Sequence, residues 1–577
     1  MLSGYALCWL SKHARRAAFL TTALLSTALW GRAQQLAFPG AEGAGRLTSG
    51  GRGTAGTPTT VFEVTNLNDD NNPGSLRYAL TQAAPYRTIV FRVSGTIHLT
   101  SALKISKANT TIAGQTAPGD GICVADFPVS LSANNVIVRY MRFRMGDKNQ
   151  NEGMVDGSGD DDAFGGLNVS NIIIDHCTMS WSDDEAFTIY GGDNITAQWN
   201  IISEPLNYSY HFEAGDADFE KHGYGGIWGG QHATFHHNLI AHCTSRTPRF
   251  NGSRYGVAVG YENVDYRNNV MYNWGSNNVY GGEAGNYNVV NNYYKYGPST
   301  SSGARYRVLN PYKQASPVLP YGQFYMSGNY VDGSTVNTAD NWKGVVMQSG
   351  TLADTTQAKA PTPFDLGPVT TQTAAAAYEA VLAGAGAILP RRDTLDQRIV
   401  NNVRNRTGRI IDVQGGYPHG TPYSISQSTW PVLNSLPAPA DADHDGMPNA
   451  WELAHGSNPN DANDRNTVAS NGYTLLENYL DSITTVVTGT KAKKGRGAGA
   501  LQVYPNPAGA ALTLVHPATS GSARITVFSS LGQRVAATVA KVGMASTQVT
   551  INSLATGNYL LLYADGPAQL VAKFTKL

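Results

Sequence analysis

The sequence predicts an all-β architecture: a right-handed parallel β-helix with a helical flank, then a small acidic-loop module and a C-terminal β-sandwich. Three observations predict it. A short strand-like phrase bounded by Asn returns again and again between residues 135 and 330. Its tightest spacing is roughly 23 residues, the length of one coil of a solenoid. Beyond the repeats the pattern changes twice, first to Ala-rich helix formers and then to short alternating strands separated by turns. The 577 residues leave room for such a body and for accessory modules.

The amino terminus carries Lys12, Arg15 and Arg16, an apolar run over 17–30, and the small residues Gly31 and Ala33. This is the pattern of an export signal, residues 1–33, cleaved after Ala33. A membrane anchor is the weaker reading, because the run falls short of the roughly 20 residues that cross a bilayer. Forty-two basic and 42 acidic residues balance. No whole-molecule field therefore attracts a polyanion, and nucleic acid is not an expected partner. Cys8 leaves with the signal, whereas Cys123, Cys177 and Cys243 stand far apart with no CxxC spacing. They read as buried thiols rather than a zinc site or a disulfide framework.

The β-helix is expected over 34–335. Its phrases include Asn135-Val136-Ile137-Val138-Arg139, Asn171-Ile172-Ile173-Ile174-Asp175, Asn194-Ile195-Thr196-Ala197-Gln198 and Ala233-Thr234-Phe235-His236. Alternation within each turns one side of the strand into a stacked core and the other outward. The Asn residues suit left-handed turns and side-chain ladders between coils, a reading preferred to glycosylation at Asn168-Val169-Ser170 and Asn194-Ile195-Thr196. A flank with helices, 336–430, follows, its strongest helical signal at 374–387.

After the Pro-rich stretch 431–439 comes Asp441-Ala442-Asp443-His444-Asp445-Gly446, with Glu452 at the twelfth position. This satisfies D-x-D-x-D-G-x5-E, in which Asp441, Asp443, Asp445 and Glu452 surround Ca²⁺ while Gly446 permits the sharp turn. The calcium-loop module spans 431–483 and its ion is expected to serve stability. Residues 484–500, with Lys491, Lys493, Lys494 and Arg496, read as a flexible linker, and 501–577 as the β-sandwich.

Two groups of residues stand out chemically. Acids occur at Asp175, at Asp183-Asp184-Glu185 and at Asp160-Asp161-Asp162, and cations at Arg246 and Arg249 within Arg246-Thr247-Pro248-Arg249. Acids on neighbouring coils can hold a hard cation, and fixed arginines can stabilise developing negative charge. His236 and His237 read as packing groups ahead of proton transfer or ligation.

Ile174-Asp175-His176-Cys177-Thr178-Met179-Ser180, His236-His237-Asn238, Arg246-Thr247-Pro248-Arg249 and Asn268-Asn269-Val270-Met271-Tyr272, in this order at coil spacing, resemble pectate lyases of polysaccharide lyase family 1. Ala37-Phe38-Pro39-Gly40-Ala41-Glu42-Gly43-Ala44-Gly45 agrees, and the resemblance covers residues 36–335. It implies cleavage of polygalacturonate by calcium-assisted β-elimination, with Asp175 and Asp184 as Ca²⁺ ligands, Arg246 as catalytic base and Arg249 in support. The chain departs from the family at Thr188, where an Asp is usual, so Glu185, Asp183 or Asp162 is expected to complete the ion's shell. It departs again near Asn207 and Asn251, so Lys221 and Arg254 are expected to bind substrate in place of the family's Lys and Arg.

Tyr504-Pro505-Asn506-Pro507, Val527-Phe528-Ser529-Ser530-Leu531-Gly532-Gln533 and Leu554-Ala555-Thr556-Gly557-Asn558-Tyr559 resemble the C-terminal sorting domain of the type IX secretion system. The resemblance implies the type IX machinery as a partner and delivery to the outside or outer surface of a Gram-negative cell; separately, a monomer is expected. Two rival functions keep the fold. A polygalacturonase-type hydrolase would use carboxylates around a water, which the Arg-x-Pro-Arg motif argues against, and a surface carbohydrate-binding β-helix would do no chemistry.

Overall fold

A computed structural model describes residues 34–148, 161–213, 215–483, 501–519, 523–529, 534–565 and 568–577. The expected signal (1–33), the expected linker (484–500) and Asp160 lie outside the described residues. The chain divides into two compact units, 1–485 and 486–577.

In the first unit, three all-parallel sheets of ten, nine and eight strands run side by side, and the chain visits them in rotation. We call them sheets I, II and III. One full coil takes Ile172–Asp175 in sheet I, Thr178–Ser180 in sheet II and Phe187–Tyr190 in sheet III, and returns to sheet I at Ile195–Gln198. Ile172 pairs with Ile195, a step of 195 − 172 = 23 residues. Other coils carry insertions: Ile195 pairs with Ala233, a step of 38, and Ala233 with Val264, a step of 31.

The corners explain the Asn bias. Asn135, Asn171 and Asn194 have φ of 59°, 58° and 54°, left-handed values that Asn tolerates better than most residues. A second set forms a buried ladder, Asn200 to Asn238 to Asn269 to Asn292 to Asn329. Each side-chain carbonyl accepts the backbone N–H of the preceding rung at 2.9–3.0 Å. Truncating a rung would orphan buried donors at about 1–3 kcal/mol each. Ile172 and Ile174 point into the solenoid core with Phe164, Phe187, Trp228 and Phe235, each worth about 1.5–3 kcal/mol of burial. Cys123, Cys177 and Cys243 are buried free thiols.

The outward face of sheet I is not open. The segment around residues 37–51 lies across it, with Gly45 N–H donating to Thr196 Oγ1 at 2.8 Å and Ala44 N–H to Thr234 Oγ1 at 3.0 Å. Gly45 approaches so closely that a Cβ would stand 2.3 Å from the Ile172 carbonyl oxygen. Sheet II is covered by the flank helices Ala374–Gly384 and Thr394–Asn405, whose Val381, Leu382, Ile399 and Val403 pack with Ile201, Leu239 and Val270. Sheet III carries an open groove.

The calcium-loop segment belongs to this same unit. Met447, Leu476 and Leu480 pack on Val90 and Ala113 of sheet I. The second unit forms two antiparallel sheets, of three and four strands, around Leu512, Leu514, Ile525, Val527, Leu561 and Phe574, the expected small sandwich.

Candidate active site and metal centres

Groove residues come from the turns that lead into sheet III. Successive coils stack Asp162, then Asp184 and Glu185, then Tyr224, then Ser245 and Arg246. Glu185 bridges Tyr224, and Tyr224 bridges Ser245. The Glu185 N–H donates to Asp162 Oδ1 at 3.0 Å, and Gly226 N–H to the Arg246 carbonyl at 2.9 Å. The solenoid thus places side chains distant in sequence about one strand spacing apart, roughly 4.8 Å. Asp162, Asp184 and Glu185 each offer an oxygen within 4.8 Å of the others.

Arg246 stands at this cluster with φ 55°, an uncommon backbone state for a residue with a long side chain. Its guanidinium pairs with Glu185, lies 4.0 Å from Asp184 Oδ1 and covers the Tyr224 ring at 4.4 Å. The same groove, about 690 Å³, is lined further by Lys104, Tyr190, His222 and Tyr255.

The electrostatics are asymmetric. Burial, then the Asp184 charge, pushes the Asp162 carboxyl well above the usual carboxylate range. Burial also pushes Asp184 up, but the His222 hydrogen bond and the charges of His222 and Arg246 outweigh it and hold Asp184 below its ordinary value. A cation among the three oxygens would relieve the first and use the second, so the donor set fits a hard, oxygen-seeking ion. Thr188 fills the departure from the family pattern without an acid. Its hydroxyl bonds to Asp162 and accepts from the Ile227 N–H at 3.2 Å.

The structure does not bring every expected residue here. Asp175 lies on sheet I under the amino-terminal segment. It is fully buried and accepts from Arg139 Nε at 2.9 Å, Gln198 Nε2 at 2.8 Å and the His176 ring at 2.8 Å. With its oxygens so taken it is a structural ion-pair member, correcting the expected ligand role. Asp183 is fully buried beside Asp147 and Asp161 and does not join the triad. Arg249 also falls away from the groove lining. It is 6% exposed, pairs with Glu283 Oε1 at 2.6 Å and sits 5.1 Å from the Tyr280 and Tyr312 rings. Lys221 is exposed and rests 5.6 Å over the Tyr208 ring, off the groove. Arg254 reaches the rim, stacked 4.6 Å over Tyr255.

His236 and His237 behave as packing groups: His236 meets Gln198 at 3.2 Å, His237 meets Gln372 at 3.1 Å, and burial holds the His237 pKa down at about 4. Lys104 and His222 escape sequence reasoning because they sit three coils before and one coil after Asp184 along the chain, joined to it only by stacking.

A second acidic centre lies in the loop after the Pro-rich stretch. Asp441, Asp443 and Asp445 converge, as do Asp445, Glu452 and Asp464. Asp464 is an additional donor the motif did not include. Gly446, at φ 91°, makes the turn, and its N–H donates to Asp441 Oδ2 at 3.2 Å. Both oxygens of Asp443 and of Glu452 are buried with no hydrogen-bond donor to satisfy them among the described residues. Burial and then mutual repulsion push Glu452 up to about 7. Asp445 also rises to about 7, through burial and the neighbouring acids, despite the opposing Met447 N–H. Such a cage fits Ca²⁺.

The secretion system C-terminal sorting domain profile matches residues 502–576. The chain is 34% identical over 468 residues to a probable pectate lyase C of Aspergillus flavus, covering 78% of this chain and 94% of the relative. It is 33% identical, with the same coverage, to a probable pectate lyase C of Aspergillus oryzae. Among solved structures, a Bacillus subtilis pectate lyase variant aligns at 17% identity and a TM-score of 0.40 over 62% of this chain and 99% of that one. The major allergen of cedar pollen aligns at 16% and 0.40, over 60% and 92%.

Proposed function

The chain belongs to the pectate lyase family, and on that premise we propose that it cuts polygalacturonate by calcium-assisted β-elimination to unsaturated oligogalacturonides, with Arg246 as the base. The observation that supports this reading is the meeting, in one open groove, of three carboxylates within 4.8 Å and an arginine held beside them.

Bound calcium would neutralise the sugar carboxylate and so acidify the proton at C5. Asp162, Asp184 and Glu185 are the residues that would hold it. Neutral Arg246 takes the C5 proton, and the C5–H electron pair forms the C4–C5 double bond. The C4–oxygen bond breaks with its pair going to the leaving oxygen, which takes a proton from water to become the hydroxyl of the new reducing end. Free arginine keeps its proton to above about pH 12, and proton transfer is most effective near the working pH. An arginine base therefore predicts an alkaline optimum. Lys104 and Arg254 are the cations placed to receive neighbouring carboxylates, and Tyr255 and Tyr190 offer ring faces to the sugars.

The calcium loop, 431–483, serves stability, and 501–577 is the export address. The sorting domain places the protein outside the cell or at its surface; we assign its delivery to the type IX machinery of a Gram-negative cell, with the enzyme acting as a monomer. Removing 496–577 should leave lyase activity intact and abolish that delivery. Retained surface display would sink the assignment.

Ultraviolet absorbance during digestion of polygalacturonate tests the chemistry. Elimination makes an absorbing unsaturated product whose formation stops in chelator and returns with Ca²⁺. New reducing ends without absorbance would make the enzyme a hydrolase, and neither product would leave a binder.

A further inference from the structure

We propose that His211 and His222, together with Asp184, form a third metal site that takes a borderline transition ion of the Zn²⁺ type, with Glu220 beside His211. The two histidines lie in the insertion that stretches one coil from 23 to 38 residues. Backbone bonds fold this insertion back on itself: Glu220 N–H donates to the His211 carbonyl at 2.9 Å and His222 N–H to the Asn207 carbonyl at 2.7 Å.

Both imidazoles are consequently buried, 1% and 7% exposed, with ring centres 3.9 Å apart. His222 Nε2 meets Asp184 Oδ1, and His211 Nε2 lies 3.2 Å from Glu220 Oε1. One donor atom from each of Asp184, His211 and His222 falls within 4.8 Å of the other two. His211 is grouped in the same way with Glu213 and Glu220.

Donors on one zinc ion stand about 2.0–2.2 Å from it, hence up to about 4.4 Å from one another, so small side-chain shifts suffice. The donor chemistry selects the ion. Calcium takes oxygen ligands, whereas paired imidazoles with carboxylates suit zinc and its neighbours. An ordinary hydrogen-bonded cluster would satisfy one histidine with one acid; here two imidazoles are pressed together against acids on both sides.

Asp184 is shared between this site and the groove triad of Asp162, Asp184 and Glu185. On the lyase reading above, filling the histidine site would draw Asp184 away from Asp162 and Glu185, so zinc would oppose calcium-dependent turnover. The binding claim itself does not need that reading.

The test uses the full chain without substrate. Calorimetric titration with ZnCl₂ without competing Ca²⁺ should show a Zn²⁺ equivalent that His211→Gln and His222→Gln each weaken at least about 10-fold, since even indirect partners of metal ligands cost that much. Asp162→Asn, which leaves His211, His222 and Asp184 in place, should keep it. Co²⁺ added to the parent protein should give the intense visible bands of a low-coordinate nitrogen and oxygen site, which needs no variant to fold. Absence of saturable Zn²⁺ binding overturns the proposal, as does binding that both histidine variants retain or a Co²⁺ spectrum of the octahedral aquo type. Absence of unsaturated product from the parent protein in Ca²⁺ without Zn²⁺, alongside intact Zn²⁺ binding, would instead count against the elimination mechanism alone.

Discussion

Two acidic centres in one unit differ in what surrounds them. In the groove, Asp184 already meets His222 and Glu185 already pairs with Arg246, so these acids have partners before any ion arrives. In the loop, the Asp443 and Glu452 carboxylate oxygens have no hydrogen-bond partner among the described residues, and Arg92, which also pairs with Glu63 at 3.2 Å, reaches Asp441 at 3.4 Å. Buried carboxylates without partners make an ion part of the fold. Carboxylates with movable cationic partners make ion binding a competition, as a site that must also accept an anionic sugar requires. The loop packs on sheet I and the groove opens on sheet III, so each can be broken separately.

Arg246→Lys should have the largest effect. It keeps the charge but loses the planar guanidinium and its placement, and kcat should fall by on the order of 10²-fold or more, as for a lost general base. A folded Lys variant, checked by circular dichroism, with kcat within a few-fold of the parent would end the assignment of Arg246 as base.

Asp184→Asn should come next, with weaker calcium activation that excess CaCl₂ partly restores. If raising Ca²⁺ recovers none of the rate, Asp184 acts other than by holding the ion.

The loop should respond in the opposite sense. Combining Asp441→Asn, Asp443→Asn and Glu452→Gln should abolish stabilisation by Ca²⁺, worth about 2.7 kcal/mol when the ion is 100-fold above its Kd, while kcat on polygalacturonate stays at the parent level. A large loss of turnover in a folded triple variant would tie the loop to the groove.

The smallest effect concerns pH. Burial outweighs hydrogen bonds from Tyr287 and Gly252 and raises the Glu262 carboxyl from 4.5 to about 8. A raised acid contributes stability that is fully present below its unfolded pKa and is lost as pH rises through the folded value. Thermal stability should therefore decline between about pH 4.5 and 8 through this group. Glu262→Gln keeps an acceptor for Tyr287 O–H and Gly252 N–H, so it should flatten that decline and raise Tm at alkaline pH. An unchanged slope in melting curves at pH 5, 7 and 9 would remove Glu262 as its source.

Repeats, Asn corners, the calcium-loop motif and the sorting tail are local patterns, carried by residues close together in the chain, and the sequence alone determined them. Even the 23-residue step is visible there, because each strand must alternate to bury Ile172 and Ile174. What surrounds each outward face was decided only in the folded chain. Asp175 and Asp184 look alike in sequence, nine residues apart on one coil. Yet the amino-terminal segment closes over sheet I and seals Asp175 against Arg139, whereas sheet III stays open and leaves Asp184 beside Arg246. Asp464, Lys104 and His222 reach their centres through turns and insertions of no fixed length. Stacking in a solenoid brings together residues whose separation along the chain varies from coil to coil, so proximity there depends on packing rather than on spacing.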